Sequence, residues 1–407
     1  MTTHIVPPQG IASRPAPSRV LMGPGPSDMH PRVVEALGKP AIGHLDPAFV
    51  QLMEEIKVLL RYAFQTENAL TFAVSGPGSV GMETCFVNLV EPGDKVIVCR
   101  NGVFGGRMIE NVLRFGGTAV IVEDTWGEPV DAQKLAEALE ANPDAKCVAF
   151  VHAETSTGAQ SDAAELVRLA SERGCLTIVD TVTSLGGTPV LADQWGADAL
   201  YSGSQKCLSC VPGLAPVTFS ERAVARLKAR RQKVPSWFMD LGLVLEYWSA
   251  PGGKRTYHHT APVNSLFALH EALVMLKDEG LPDAWARHRL HHRALKAGFE
   301  ALGLEFLVRE EARLPQLNAV HVPAGVDEAA VRKALLENYD LEIGAGLGPL
   351  AGKVWRFGLM GYSARAENVR LCLGALAETL SRQGHGADKA AALAAAERIY
   401  AGGQGTT

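Results

Sequence analysis

Short apolar runs alternate with amphipathic segments between about residue 69 and residue 216. The runs predict seven strands, at Leu70–Val74, Lys95–Cys99, Ala119–Val122, Cys147–His152, Leu176–Asp180, Ala199–Ser202 and Ala215–Phe219. The segments between them predict helices such as Gly81–Leu89, Gly106–Phe115, Ala132–Ala141 and Asp162–Arg173. Strands that alternate with helices of this length predict an α/β fold, with a large, mostly parallel seven-stranded sheet covered by helices on both faces.

The pattern changes after Pro262 and predicts a smaller C-terminal α+β domain. Its predicted helices are Leu266–Glu279, Asp283–Leu302, Glu328–Asn338 and Ala366–Gln383, and its predicted strands are Leu304–Val308, Asn318–Val322, Glu342–Ile343 and Val354–Phe357. An Ala-rich tail predicts one more helix, Ala387–Ala401. We therefore expect a flexible lead-in (1–18), a large domain whose N-terminal segment lies near the active site (19–265), a small domain (266–385), and a tail helix with a frayed end (386–407).

Composition narrows the class of protein. Hydrophobic residues make up 47% of the 407 residues and charged residues 20%, which is typical of a globular protein. A formal charge of -5 gives no electrostatic reason to expect nucleic acid or an anionic membrane as a partner. The Pro- and Ser-rich N-terminus lacks the apolar core of a secretory signal, and the seven cysteines are too few for a disulfide scaffold. We expect a cytoplasmic protein.

Lys206 and Asp180 are the first candidates for chemistry. Asp180 ends a predicted strand, and Lys206 follows the next strand within Tyr201-Ser202-Gly203-Ser204-Gln205-Lys206. The carboxyl ends of parallel strands meet at one edge of a sheet, where ligands bind in such folds. A lysine that holds an aldehyde as a Schiff base, with an aspartate that holds a pyridine nitrogen protonated, is what pyridoxal phosphate requires.

A glycine-rich loop, Ser75-Gly76-Pro77-Gly78-Ser79-Val80-Gly81, follows the first of these strands and opens a helix. The amides of a helix N-terminus attract a phosphate group. The same spacing also satisfies the dinucleotide-binding motif, which requires an acidic residue about 20 positions later. Cys99 and Arg100 occupy that place, so a phosphate cup for pyridoxal phosphate is the better interpretation.

Three further residues follow predicted strands and suit a planar polar ring. Phe104 and Val182 could pack on its two faces, and Ser156 lies in the hydroxyl-rich segment Glu154-Thr155-Ser156-Thr157-Gly158. We expect no metal site. The single pair Cys207 and Cys210 lacks partners for zinc, and the histidines on the second C-terminal helix (His288, His291, His292) are expected to form a solvated helix face.

Taken together, these motifs resemble the class V, fold-type I pyridoxal-phosphate enzymes, and among them the alanine–glyoxylate and serine–glyoxylate aminotransferases. The likeness runs from Leu21 to about Leu380. Its motifs are Leu21 to Ser27, the Ser75–Ser79 loop, Glu154 to Gly158, Asp180 to Gly187, Tyr201 to Lys206, Tyr257 to Thr260, Gly346 to Pro349 and Gly352 to Arg356. Phe104 and Ser79 depart from the family pattern, which often has Trp and His at these positions.

The resemblance implies roles for the residues around the cofactor ring. Lys206 would carry the cofactor and move the proton, and Asp180 would pair with the pyridine nitrogen. Phe104 and Val182 would enclose the ring, with Ser156 at its polar edge.

It also implies how the phosphate and the substrate are held. Gly78, Ser79 and Gln205 would contact the phosphate, and Tyr257 and Thr260 would reach it from the other subunit of a homodimer with shared active sites. In the substrate pocket, Gly25 would line the wall and Arg356 would bind the carboxylate. The substrates would be glyoxylate and a small amino acid, alanine or serine.

Several alternatives stay open from the sequence. Ureidoglycine or pyridoxamine could replace alanine as the amino donor, because donor choice depends on a few pocket residues. A cysteine desulfurase would need a mobile cysteine in the second part of the chain, but none lies between Cys210 and Cys372. The intact set of Lys206, Asp180 and Arg356 argues against a non-catalytic regulator that only binds the cofactor, and a nicotinamide dehydrogenase has only the glycine motif in its favour.

Overall fold

The computed structural model describes residues 9–248 and 255–403, so the lead-in and the frayed end predicted above lie partly outside it. Its strands are β1 (Val20–Leu21), β2 (Leu70–Ser75), β3 (Lys95–Arg100), β4 (Thr118–Glu123), β5 (Cys147–Val151), β6 (Ala153–Glu154), β7 (Ala159–Gln160), β8 (Leu176–Asp180), β9 (Ala199–Tyr201), β10 (Leu214–Phe219), β11 (Leu317–His321), β12 (Leu341–Glu342), β13 (Gly344–Ala345) and β14 (Val354–Gly358).

The helices cover both faces of the large sheet and build most of the C-terminal part. They are α1 (Pro31–Leu37), α2 (Pro47–Phe64), α3 (Gly78–Leu89), α4 (Val103–Arg114), α5 (Ala132–Ala141), α6 (Ala163–Glu172), α7 (Ala192–Trp195), α8 (Glu221–Lys228), α9 (Leu241–Trp248), α10 (Val263–Glu279), α11 (Leu281–Ala301), α12 (Glu328–Tyr339), α13 (Ala366–Arg382) and α14 (Lys389–Gly403). Within the described ranges, no helix is both long enough and apolar enough to cross a membrane.

The predicted α/β architecture is confirmed. Seven strands form one sheet in the order β2-β10-β9-β8-β5-β3-β4. All neighbours are parallel except β10, which runs antiparallel to both β2 and β9. Because β10 reverses direction between them, β2 and β9 run the same way. The residues after β2, β3, β5, β8 and β9 therefore meet at one edge of the sheet.

The C-terminal part has its own small antiparallel sheet, in the order β11-β14-β13. Its core packs α11, α12, α13 and α14 around buried Trp355 and Phe357, and it is a cluster separate from the core of the large sheet. Strand β1 pairs in parallel with β12, and Met22 is buried in this second core. The segment after Met22 thus leaves the small sheet and runs toward the large one. The domain boundaries proposed from the sequence stay predictions.

One predicted strand is wrong. The segment Leu304–Val308 makes only an isolated bridge between Phe306 and Val320. Its alternate apolar residues Leu304 and Val308 are buried as in a strand, but its backbone pairs with β11 at too few positions to form one. Alternating apolar side chains indicate that one face of a segment is buried. They do not show that a neighbouring strand lies in register with it, which continuous backbone pairing also requires.

Helices α1 and α2 precede the first predicted strand and were not predicted. Asp46 caps α2, accepting a hydrogen bond from the Ala48 amide at 2.8 Å, and Pro47 occupies the first turn. The buried residues of α2 recur at helical spacing, as in Leu52, Met53, Ile56 and Leu60. This Asp-Pro start is a signal from which the helix could have been predicted.

Candidate active site

Lys206 lies in the turn between β9 and β10, against the segment that comes from the small sheet. Its ammonium donates a hydrogen bond to the Pro24 carbonyl. A Cβ on Gly25 would lie 2.7 Å from the Lys206 Cδ, and Gly25 has a φ of +114°, so a side chain at this place would be strained and would displace the end of Lys206. Burial lowers the pKa of Lys206 to about 8, and the nearby positive charge of Arg356 acts in the same direction.

Asp180 is buried at the end of β8, and both of its oxygens accept hydrogen bonds. The Val182 amide donates to Oδ1 at 2.8 Å, and the Tyr201 hydroxyl donates to Oδ2 at 2.7 Å. Burial raises the pKa of Asp180 to about 7. The two hydrogen bonds oppose this rise in pKa, and the charge of Glu154 adds to it. Tyr201 was not predicted to belong to the site, although it lies at the end of the strand next to β8.

Glu154 joins the loops that carry Phe104 and Ser156. Its Oε1 accepts from the Ser156 amide at 2.9 Å and from the Ser156 hydroxyl at 2.6 Å, and its Oε2 accepts from the Phe104 amide at 3.2 Å. The Ser156 Oγ also accepts from the Val103 amide at 3.0 Å. Glu154 is fully buried, which raises its pKa, while these hydrogen bonds and Arg356 lower it. This role of Glu154 was not predicted from the sequence.

The glycine-rich loop opens α3 next to Val182. Pro77 is the N-cap residue of α3, and no side chain caps this helix. Gly78 is buried and Ser79 is exposed. A Cβ on Gly78 would lie 3.2 Å from the Val182 Cγ2, and the buried Oε1 of Gln205 has no hydrogen-bond partner within the described part of the chain. Uncapped amides at a helix N-terminus beside an unpartnered amide group make a polar cup that suits an anion.

Tyr257 and Thr260 lie in the segment that precedes α10. The Tyr257 side chain is 58% exposed, Thr260 is exposed, and their hydroxyls are 3.4 Å apart. No hydrogen bond joins either side chain to Gly78 or Ser79 of the same chain within residues 9–248 and 255–403. Between them, His259 places its Nε2 at 2.7 Å from the Ser75 Oγ, at the end of β2.

Arg356 lies on β14, the central strand of the small sheet, and reaches the large domain. Its Nε donates to the Ala345 carbonyl at 2.7 Å, and its Nη1 donates to the Thr155 carbonyl at 2.9 Å. Burial lowers the pKa of Arg356 to about 10, so the guanidinium remains charged at neutral pH. Two backbone carbonyls thus fix the direction of a cation beside Glu154 and Lys206.

The histidine prediction is wrong, because His288 and His291 are buried. His288 donates from Nδ1 to the Ala284 carbonyl at 2.6 Å and accepts the Gly361 amide on Nε2 at 2.9 Å. His291, on the same helix, is hydrogen-bonded through Nδ1 to the Tyr400 hydroxyl of α14 at 3.0 Å. No group of three metal-ligating side chains is found among the described residues.

The fold and this arrangement define the class of protein. The family model for class V aminotransferases matches residues 21–369, and the chain belongs to this family. The resemblance inferred from the motifs is therefore confirmed.

Curated relatives and solved structures agree with the family. The chain is 41% identical over 379 residues to an alanine–glyoxylate aminotransferase of Drosophila melanogaster, which covers 92% of this chain and 96% of that protein. It is 36% identical over 403 residues to an (S)-ureidoglycine–glyoxylate transaminase of Bacillus subtilis, covering 94% of this chain and 96% of that protein. The crystal structure of an alanine–glyoxylate aminotransferase from Nostoc sp. superposes with a TM-score of 0.90 at 46% identity, covering 93% of this chain and all of that one.

Proposed function

We propose that this protein is a pyridoxal-phosphate-dependent aminotransferase that transfers the amino group of alanine, or of serine, to glyoxylate. The products are glycine and a 2-oxo acid. The observation that carries this proposal is the convergence of Lys206, Asp180 and Arg356 at one edge of the large sheet. Extensive identity to alanine–glyoxylate aminotransferases supports the choice of substrates.

The residues present fit pyridoxal phosphate. The uncapped start of α3 and the unpartnered Gln205 Oε1 offer polar groups to a phosphate. Asp180 is a buried carboxylate that makes no ion pair within the described residues, so a protonated ring nitrogen would compensate its charge. Phe104, Val182 and Ser156 would hold the ring between the cup and the lysine.

When bound, pyridoxal phosphate supplies an aldehyde and a ring that accepts electrons from the substrate Cα. Lys206 would act as the base and acid at that carbon. With a pKa near 8, about a tenth of Lys206 is unprotonated at pH 7, whereas a solvated lysine near 10.4 is almost fully protonated. The Pro24 carbonyl and Gly25 hold the amine in place while it takes and returns the proton.

Arg356 would bind the substrate carboxylate. A guanidinium offers two parallel donors to a carboxylate, and its direction is already fixed by the Ala345 and Thr155 carbonyls. Holding the carboxylate sets which bond at the Cα stands perpendicular to the cofactor ring. The role of Arg356 is therefore orientation as well as affinity.

The amino donor is the part of the proposal with the nearest alternatives. A ureidoglycine–glyoxylate transaminase and a pyridoxamine–pyruvate aminotransferase are both among the relatives, at 36% and 29% identity. All three kinds of donor are amines that would replace the same lysine on the aldehyde carbon. A cysteine desulfurase is disfavoured, since all seven cysteines of the chain are buried. The intact lysine, aspartate and arginine argue against a non-catalytic regulator.

We propose further that the enzyme is a cytoplasmic homodimer with shared active sites. Tyr257 and Thr260 are exposed, they make no hydrogen bond to Gly78 or Ser79 within the described part of the chain, and they flank a histidine bonded to Ser75. In a dimer these two hydroxyls would reach the phosphate of the partner subunit.

The test is half-reaction spectroscopy on the purified protein with bound pyridoxal phosphate. Alanine, serine, ureidoglycine and pyridoxamine are added one at a time without an acceptor, and glyoxylate is added afterwards. We expect alanine or serine to convert the cofactor to its pyridoxamine form and glyoxylate to restore it. The Lys206→Ala variant should give no turnover; steady turnover by this variant, or no conversion with any donor, would contradict the proposal.

A further inference from the structure

Tyr201 makes the only side-chain hydrogen bond to Asp180 within residues 9–248 and 255–403. Strands β8 and β9 pair in parallel with Asp180 opposite Tyr201, so both side chains leave the ends of neighbouring strands. The Thr181 amide and hydroxyl both donate to the Tyr201 carbonyl, at 2.9 and 2.8 Å. These bonds fix the backbone on both sides of the pair, and the tyrosine and the aspartate are both buried.

The groups around Asp180 affect whether its carboxylate stays ionised, and the Tyr201 hydroxyl is one of them. Glu154 and the thiol of Cys85 interact electrostatically with Asp180, and the positive charge of Lys206 lowers the pKa of Asp180. A buried carboxylate close to a second carboxylate tends to take up a proton, unless donors stabilise its ionised form. Burial and the charge of Asp180 raise the pKa of Tyr201 well above its usual value, so the phenol keeps its proton and remains a donor.

We propose that Tyr201 is a positioning residue that keeps Asp180 ionised and aimed at the cofactor, so that the ring nitrogen retains its proton. This inference rests on the proposed function, because it assigns Asp180 to that nitrogen. Tyr201 would not touch the substrate. Its effect would pass through Asp180 alone.

The test compares Tyr201→Phe with Tyr339→Phe. Tyr339 is a matched control in the small domain, where its hydroxyl donates to the Glu378 carboxylate at 2.6 Å. A hydrogen bond to a charged acceptor corresponds to about a 10- to 100-fold change in an equilibrium or rate constant. We expect Tyr201→Phe to weaken pyridoxal phosphate binding and to lower kcat by about this factor, with KM for alanine unchanged. Tyr339→Phe should change neither.

A double-mutant cycle with Asp180→Asn separates positioning from simple packing. The cofactor dissociation constant is measured by equilibrium dialysis for both single variants and the double variant. If Tyr201 acts through the aspartate, its replacement has little effect once residue 180 is uncharged. An equal loss of affinity in both backgrounds would show a structural role only and would overturn the inference.

A second measurement leaves Tyr201 in place, in case Tyr201→Phe does not fold. Tyrosine labelled with carbon-13 at Cζ reports the hydrogen bonding of each of the seven phenols. We expect one resonance to move in Asp180→Asn apoprotein, and the inference is overturned if none does. If the unaltered protein binds no pyridoxal phosphate, the proposed function fails and this inference fails with it. If the unaltered protein binds the cofactor and Tyr201→Phe binds it equally well, only the inference about Tyr201 is overturned.

Discussion

The Lys206 side chain packs on the Cα of Gly25, and its ammonium donates to the carbonyl of the preceding Pro24. These residues are far apart in the sequence. The chain brings them together because β1 pairs with β12 of the small domain, and the segment after Met22 then crosses to the turn that carries the lysine. The N-terminal segment therefore forms part of the wall around the reactive amine.

Gly25→Ala should disable the lysine. A methyl group there would lie 2.7 Å from the Lys206 Cδ, at a φ of +114° that alanine rarely adopts. We expect kcat to fall by about 100-fold or more, because small displacements of a reacting group are costly. The fraction of cofactor attached to Lys206, measured by borohydride reduction and mass spectrometry, should fall as well. The control is Gly43→Ala, where the nearest atom would be 4.0 Å away, and full attachment in Gly25→Ala would contradict the prediction.

Arg356→Met should have two separable effects. The loss of a two-donor contact with the substrate carboxylate should lower kcat/KM for alanine by about 100-fold. The kcat/KM of Arg356→Lys should lie between those of Arg356→Met and the unaltered protein. The second effect is on the amine, since the charge of Arg356 lowers the pKa of Lys206. Without that charge the pKa should rise above 8, toward its ordinary value.

The pH dependence of cofactor capture measures this second effect. The unprotonated amine attacks the aldehyde, so the rate at which apoprotein captures pyridoxal phosphate should increase with pH through the pKa of Lys206. The midpoint should lie near 8 in the unaltered protein and higher in Arg356→Met. Arg309→Met serves as the control because Arg309 is exposed and pairs only with surface carboxylates. An unchanged midpoint in Arg356→Met would show that the two cations do not interact.

Shared active sites predict complementation between inactive subunits. Lys206→Ala should be inactive, and Tyr257→Ala should bind pyridoxal phosphate weakly because the partner's phosphate loses one donor. In a mixed dimer, one of the two sites combines an intact lysine with an intact tyrosine from the partner. About half of the dimers are mixed after equal mixing, so roughly a quarter of all sites should recover. The measurement is activity after denaturation and joint refolding.

A matched mixture controls for nonspecific recovery. Lys206→Ala refolded with Asp180→Asn should stay inactive, because both residues serve the cofactor of their own subunit. Recovery in this mixture would mean that Lys206 and Asp180 of one site come from different subunits. No recovery with Tyr257→Ala would mean that each site belongs to one chain.

His288 should make the protein sensitive to acid. Burial lowers the pKa of His288 to about 3, and its Nε2 must remain unprotonated to accept the Gly361 amide at 2.9 Å. The unfolded chain, with a histidine pKa near 6.5, therefore binds more protons than the folded one between these values. Stability should be full above pH 6.5 and fall as pH decreases toward 3.

Urea unfolding at a series of pH values measures this loss. We expect His288 to account for about 2–3 kcal/mol of the stability lost between pH 7 and pH 4. His152 and His291 are also buried with a pKa of about 4, so the unaltered protein must be compared with His288→Asn. His288→Asn should be less stable at pH 7 and lose less stability in acid, whereas His321→Asn, at an exposed position, should behave like the unaltered protein. Parallel stability curves for His288→Asn and the unaltered protein would contradict the prediction.

The sequence predicted the large sheet well because each of its strands is a short apolar run between clear helical segments. Six of the seven predicted strands differ from the observed ones by one residue at an end or not at all, and the seventh, Ala119–Val122, lies inside β4. Lys206, Asp180 and the glycine loop could be singled out for the same reason, since strand ends meet at one edge of a parallel sheet. The small domain was predicted less well, as the strand expected at Leu304–Val308 shows.

The sequence by itself thus determined the class of fold and which residues lie at the strand ends, because these follow from local periodicity and local residue type. The proposed cofactor chemistry is built on those residues. Only the tertiary structure placed the Tyr201 hydroxyl on Asp180, tied Phe104 to Glu154, and pressed Gly25 against Lys206. It also buried His288, which the sequence suggested was solvated. Each of these depends on a contact between separate elements, and the pattern along one element carries no information about which side chain of another will meet it.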